Sequence, residues 1–151
     1  MYNSLPLLFH GTIVGFILFQ TILLTPVVFN VLNPSAVSVL LRAIFPRFFI
    51  SIFFISFFVF AFLFYKTGGH SVTIVNVFTI FLSGLCYFLI PYTNRARDVG
   101  NNGLFSVYHN ISVISTLLML ILNISVFFWL NRPLEQWWIH SNVFLLALIT
   151  R

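Results

Sequence analysis

Four long apolar runs, at about residues 5–32, 45–65, 72–92 and 104–130, leave this chain few ways to fold. Each can cross a hydrocarbon core of roughly 30 Å, which takes about 20 residues of α-helix. Hydrophobic residues make up 60% of the 151 and charged residues only 6%, too few to coat a water-soluble globule. In lipid, every backbone polar group must find a partner within the chain, which leaves helices or a closed barrel. Barrel strands alternate polar and apolar positions, and these runs do not. The sequence therefore predicts an all-α membrane protein: one domain over 1–151, four transmembrane helices in an antiparallel bundle, and a short interfacial helix over 134–150.

The first run lacks a basic leader and a small-residue cleavage pattern, so it is expected to be retained as a helix. It carries Gly11 and Gly15 at a small-xxx-small spacing that favours close helix packing, followed by Gln20, Thr21, Thr25 and Pro26. Asn33-Pro34-Ser35 reads as a turn with an N-cap. A short amphipathic helix over 35–42 is expected next, with Pro46 opening the Phe-rich second span. Lys66-Thr67-Gly68-Gly69-His70 is a tight connection that makes the second and third helices antiparallel neighbours. The third carries Asn76, Thr79, Ser83 and Tyr87 near one face, and the fourth repeats the device with His109, Ser112, Thr116 and Asn123. Hydrogen bonding between helices accounts for both stripes; an ion path needs ionisable groups through the membrane centre, and these runs offer none.

The net charge of +5 falls between the apolar runs, where it reports topology and lipid head-group contact rather than nucleic-acid binding. Antiparallel threading puts Arg42, Arg47, Arg95 and Arg97 on one membrane face, and Lys66, Arg132, Glu135 and Arg151 on the other. The excess of basic residues orients the four-Arg face inward and both termini outward. Asp98 needs an arginine, because an isolated charge near the bilayer is costly. Arg47 is the expected partner, locking loop 93–103 onto the connection between the first two helices. Arg47, Arg97, Asp98 and His109 then form a structural polar cluster, and Arg42 and Arg95 contact lipid head-groups.

Catalytic apparatus is absent from the pattern: no nucleophile with its base, no carboxylate pair, no phosphate loop. Cys86, the single cysteine, lies inside the third run and reads as a small apolar residue. Histidine is the one ligand type available. His10 and His109 begin helices that run in opposite directions, so they sit roughly 15–25 Å apart at 1.5 Å per residue and cannot share a haem. His70 in a connection and His140 in the tail form no metal spacing. No cofactor or metal is expected. The tail pairs Trp137 with Trp138, as an interfacial belt does, before the apolar stretch 143–149, which is too short to span.

Several segments in order carry a resemblance: His10-Gly11 with Gly15; Thr25-Pro26 with Phe29 and Leu32; Ile44-Phe45-Pro46-Arg47-Phe48-Phe49; Ile90-Pro91 through Ala96-Arg97-Asp98; and Phe105 with Tyr108-His109 and Ser112-Val113. Together, over roughly residues 8–125, they resemble the transmembrane-protein-205-like domain family. The resemblance implies a four-helix membrane domain and directs attention to Pro46, Arg47, Arg97, Asp98 and His109. Tyr108, Asn110 and the Trp-rich tail depart from the family pattern. More faintly, the His10 start is similar to four-helix membrane protoporphyrinogen oxidase and copper-resistance proteins, which implies haem or copper at a histidine, His10 or His109.

These readings favour a non-catalytic accessory or assembly subunit of a larger membrane complex, possessing lipid contacts and other membrane subunits as partners, in a bacterial or mitochondrial inner membrane. Two alternatives stand beside it: a haem- or metal-handling redox protein, and a small transporter or efflux component.

Overall fold

The computed structural model describes residues 4–65 and 70–130. Within them the chain forms four helices, each long and apolar enough to cross a membrane: α1 (Ser4–Val31), α2 (Pro34–Tyr65), α3 (His70–Asp98) and α4 (Asn102–Leu130). There is no strand among the described residues. Each helix packs on the next, and the N-terminal half of α1 returns to α4 to close the ring. The expected helical membrane bundle is present. The predicted helix over 134–150, the connection 66–69 and the charges of the second face lie outside the described residues.

Two apolar clusters make the core. One gathers Ile13, Ile17, Phe48, Phe49, Ile52, Leu82, Cys86 and Met119; the other gathers Val59, Leu63, Val72, Val75 and Val126. In sequence, His10, Ser56, Asn76, Thr79 and Asn123 fall at the junction between them, and all five are fully buried. Apolar contact alone gives membrane helices little net drive to associate, since lipid tails are equally apolar, so this polar layer supplies register as well as cohesion. Gly11 lets α1 approach α4 closely: a Cβ there would stand 3.4 Å from the Phe127 ring. Gly15 meets nothing within 4 Å, so only half of the small-xxx-small pair works as a packing device.

The helix ends follow local chemistry. Asn33 caps α2, its Oδ1 accepting from the Ala36 amide at 2.9 Å, with Pro34 as the first helical residue. At the end of α3, Gly100 adopts φ 71°, the Asn101 amide reaches back to the Ala96 carbonyl at 2.9 Å, and the Gly100 amide to the Arg97 carbonyl at 3.1 Å. Asn101 then caps α4 by accepting from the Leu104 amide at 3.0 Å.

Two sequence expectations change here. No separate helix covers 35–42: α2 runs unbroken through Pro46. Likewise α3 starts at His70 and passes through Pro91 to Asp98, replacing the expected span 72–92 and loop 93–103 with the short turn 99–101. A proline removes one helical hydrogen bond, whereas breaking the helix frees several backbone groups at once. Near lipid the second loss is greater, and the helix continues.

Candidate functional site

The buried polar layer is a directed network. His10 donates from Nδ1 to Asn123 Oδ1 at 2.7 Å, and Asn76 Nδ2 points at His10 Nε2 at 3.4 Å. Asn123 in turn donates from Nδ2 to Thr79 Oγ1 at 3.1 Å and to the Met119 carbonyl at 2.8 Å. Thr79 donates to the Val75 carbonyl at 2.8 Å and Ser83 to the Thr79 carbonyl at 2.7 Å. This pattern needs one proton on the imidazole, at Nδ1, with Nε2 as an acceptor. Both ring nitrogens of His10 thus face asparagines, tying α1 to α3 and α4. Ser56 Oγ and Asn76 Oδ1 remain without partners among the described groups.

On the other side of the core the bundle opens. Between Phe19 and Leu24, α1 widens into a π-helical turn, just ahead of Pro26. Proline has no amide to offer the Ile22 carbonyl and its ring crowds that oxygen. Widening the preceding turn relieves the crowding, and the Thr25 amide and hydroxyl both converge on the Gln20 carbonyl, the hydroxyl at 2.8 Å. The N-terminal half of α1 packs on α4, but from Phe19 onward α1 stands off from α4. The space between them is a cleft of about 700 Å³, within the range of roughly 300–1,000 Å³ common for small-molecule sites. Buried Ile17, Phe48 and Phe49 form its floor, while Ile22, Phe29, Val113 and Leu117 on its walls are at least half exposed, so it opens sideways toward lipid.

Gln20 also lines the cleft. Its side chain is only 7% exposed and its Nε2 has no partner among the described residues. Leaving a buried amide donor unpaired costs about 1–3 kcal/mol. Thr116 and Ser112 line the α4 wall, their hydroxyls bonded to the Ser112 and Tyr108 carbonyls at 2.8 and 3.1 Å.

Charges gather at the mouth. Arg42 and Asp98 form a two-pronged ion pair, Nη1 to Oδ2 at 3.1 Å and Nη2 to Oδ1, that clamps α2 to the end of α3. Arg97 lies over the Phe105 ring, its Cζ 5.1 Å from the centroid, and Phe105 stacks on His109 with centroids 5.5 Å apart and planes 7° apart. Arg42, Arg97, Phe105 and His109 all line the cleft.

The sequence expectation for Asp98 is therefore corrected: its partner is Arg42. Arg47 instead donates to the Ala43 carbonyl on its own helix, at 2.6 Å. Arg42 and Arg47 are five residues apart, hence about 140° apart around a helix of 3.6 residues per turn. Once α2 is continuous, Arg42 continues the inward stripe of Phe45, Phe49, Ile52, Ser56 and Val59, and Arg47 does not. Arg42 is thereby engaged rather than free for head-groups, and Arg95 is exposed. Of the polar stripes, Asn76, Thr79, Ser83 and Asn123 meet in the core, Tyr87 is 39% exposed, and His109, Ser112 and Thr116 belong to the cleft. Gln20, read from sequence only as a packing residue, is the cleft component that sequence reasoning missed; its placement five residues before a Thr-Pro pair is the available signal. Among the described residues no three His, Cys, Asp or Glu side chains converge as a metal site would require.

A family model described as a domain of unknown function, DUF4149, matches residues 8–102, from the first turns of α1 to the start of α4. Neither a curated protein nor a solved structure matches the chain.

Proposed function

We propose that this chain, which belongs to the DUF4149 family, is a non-catalytic integral membrane protein that holds one amphipathic, lipid-like molecule in the cleft between α1 and α4, and serves as an accessory component of a larger membrane assembly. The observation that carries the reading is the cleft itself: an apolar floor of Ile17, Phe48 and Phe49 ending at a mouth of Arg97 and His109, open to the bilayer along its side. An amphiphile matches that gradient from apolar to charged, and the lateral opening is an entry route from lipid. The buried layer of His10, Asn76, Thr79 and Asn123 serves helix contacts, which supports a binding role over a catalytic one.

The accessory role draws support from Phe54, Phe57 and Phe58, which stand outward along α2 and offer aromatic area of the kind enriched at protein interfaces. The finer kinship with the transmembrane-protein-205-like domains is part of the proposal, carried by Pro46-Arg47 and Ala96-Arg97-Asp98. So is residence in a bacterial or mitochondrial inner membrane with the arginine end facing inward.

Native mass spectrometry of the protein released from its own membrane in mild detergent tests the reading. The expected species is a protomer carrying one lipid mass together with further polypeptides. A protomer carrying haem or metal in place of lipid overturns the lipid-binding role, and a protomer that never accompanies another polypeptide overturns the accessory role.

A further inference from the structure

We propose that the cleft selects an anionic glycerophospholipid, with the phosphodiester against Arg97 and an acyl-ester carbonyl accepting from Gln20 Nε2. The inference rests on the lipid-binding reading above and names the ligand class.

Charge decides the head-group. At the mouth, Arg42 is neutralised by Asp98, Arg47 is turned to its own helix, and Arg95 does not line the cleft. Arg97 does line it, and among the described residues it has an aromatic contact but no carboxylate. One uncompensated guanidinium calls for one anionic group, and its forked donors suit phosphate oxygens. A zwitterionic head would bring a cation to a mouth whose one carboxylate among the described residues, Asp98, is already paired with Arg42.

Gln20 decides what lies below the head. Its amide is buried, unpaired and on the cleft wall. Arg42 reaches Asp98 and so marks the level of the adjacent Arg97; counted from the α1–α2 corner at Asn33, Gln20 lies about 6 Å deeper than that level at 1.5 Å per residue. The ester carbonyls of a glycerophospholipid sit a few bonds below the phosphate, at a comparable step. A free fatty acid has no acceptor at that depth. At about 30 Å³ per water-sized group, a cleft of about 700 Å³ takes roughly 23 groups, a glycerophosphate and the upper part of one chain, the rest leaving between α1 and α4 into the bilayer.

The test titrates the full-length, delipidated protein in mild detergent with phosphatidylglycerol, phosphatidylcholine and oleate, reading bound lipid by native mass spectrometry and melting temperature. Phosphatidylglycerol is expected to bind at one per protomer and raise the melting temperature, with phosphatidylcholine several-fold weaker. Arg97→Gln is expected to weaken phosphatidylglycerol about five- to tenfold, with Arg97→Lys in between, while Arg95→Gln leaves it unchanged. Gln20→Leu is expected to weaken phosphatidylglycerol but not oleate. Equal loss in the Arg95 and Arg97 variants would mean surface adsorption and overturn the proposal. So would equal binding of phosphatidylcholine, or oleate matching phosphatidylglycerol with no effect of Gln20→Leu; in those cases lipid occupancy of the cleft survives. Binding of none of the three probes overturns both this inference and the lipid-binding reading.

Discussion

Asn123 is the residue on which the core turns, because one side chain accepts from His10 and donates to Thr79 and to its own helix. Asn123→Leu removes the acceptor of a buried imidazole and the donor to a buried hydroxyl together. A destabilisation of about 1–3 kcal/mol is expected, above the roughly 0.6 kcal/mol average for a single interhelical hydrogen bond in membrane proteins, because the buried His10 Nδ1–H loses its acceptor while the Thr79 hydroxyl keeps only its bond to the Val75 carbonyl. Thermal unfolding in detergent measures it. Ser56 makes the opposite case: its hydroxyl is fully buried with no partner among the described residues, so Ser56→Ala is expected to leave the melting temperature unchanged or raise it. The polar stripe of Asn76, Thr79 and Ser83 was legible from helical spacing. Sequence favours a buried, hydrogen-bonded His10 over a ligand, but its partners were not legible, because the contact crosses between helices far apart in sequence. The Arg42–Asp98 pairing was within reach of the sequence, since Arg42 continues the period of Phe45, Phe49 and Ile52; the expected helix break at Pro46 hid it.

At the scale of the element, Pro26, Pro46 and Pro91 do not end the helices that contain them. Pro26 coincides with the π turn of α1, whereas α2 and α3 pass through Pro46 and Pro91. Membrane spans were legible from run length alone, and the first junction from Asn33-Pro34-Ser35; the junction of α3 and α4 was not, because it is set by Gly100 and the capping Asn101 rather than by Pro91. Gly100 is the clearest such signal, with φ 71° in the turn between α3 and α4. Gly100→Ala forces a side chain into the left-handed region at about 1–2 kcal/mol. It is expected to lower the melting temperature, and Gly100→Asn to do so less, since asparagine tolerates that conformation better. Equal melting temperatures for the two variants would contradict the cap.

As a whole molecule, the bundle is closed by its polar layer near one end and opened by the π turn toward the other. The class of the fold follows from composition and run length, since four apolar spans in lipid have few other solutions. The cleft does not follow, because it arises from α1 and α4 parting beyond Leu18, a tertiary divergence that no local pattern encodes. The most direct measurement compares lipid carried by the wild-type protein, by Thr116→Trp, which fills the cleft wall, and by Ile114→Trp, which introduces the same side chain at an exposed position outside the cleft. After release from membranes under identical mild conditions, native mass spectrometry is predicted to show one lipid per protomer for the wild type and for Ile114→Trp, and loss of that lipid in Thr116→Trp. A bare wild-type protomer, or the same lipid count in all three, would contradict a cleft built to hold it.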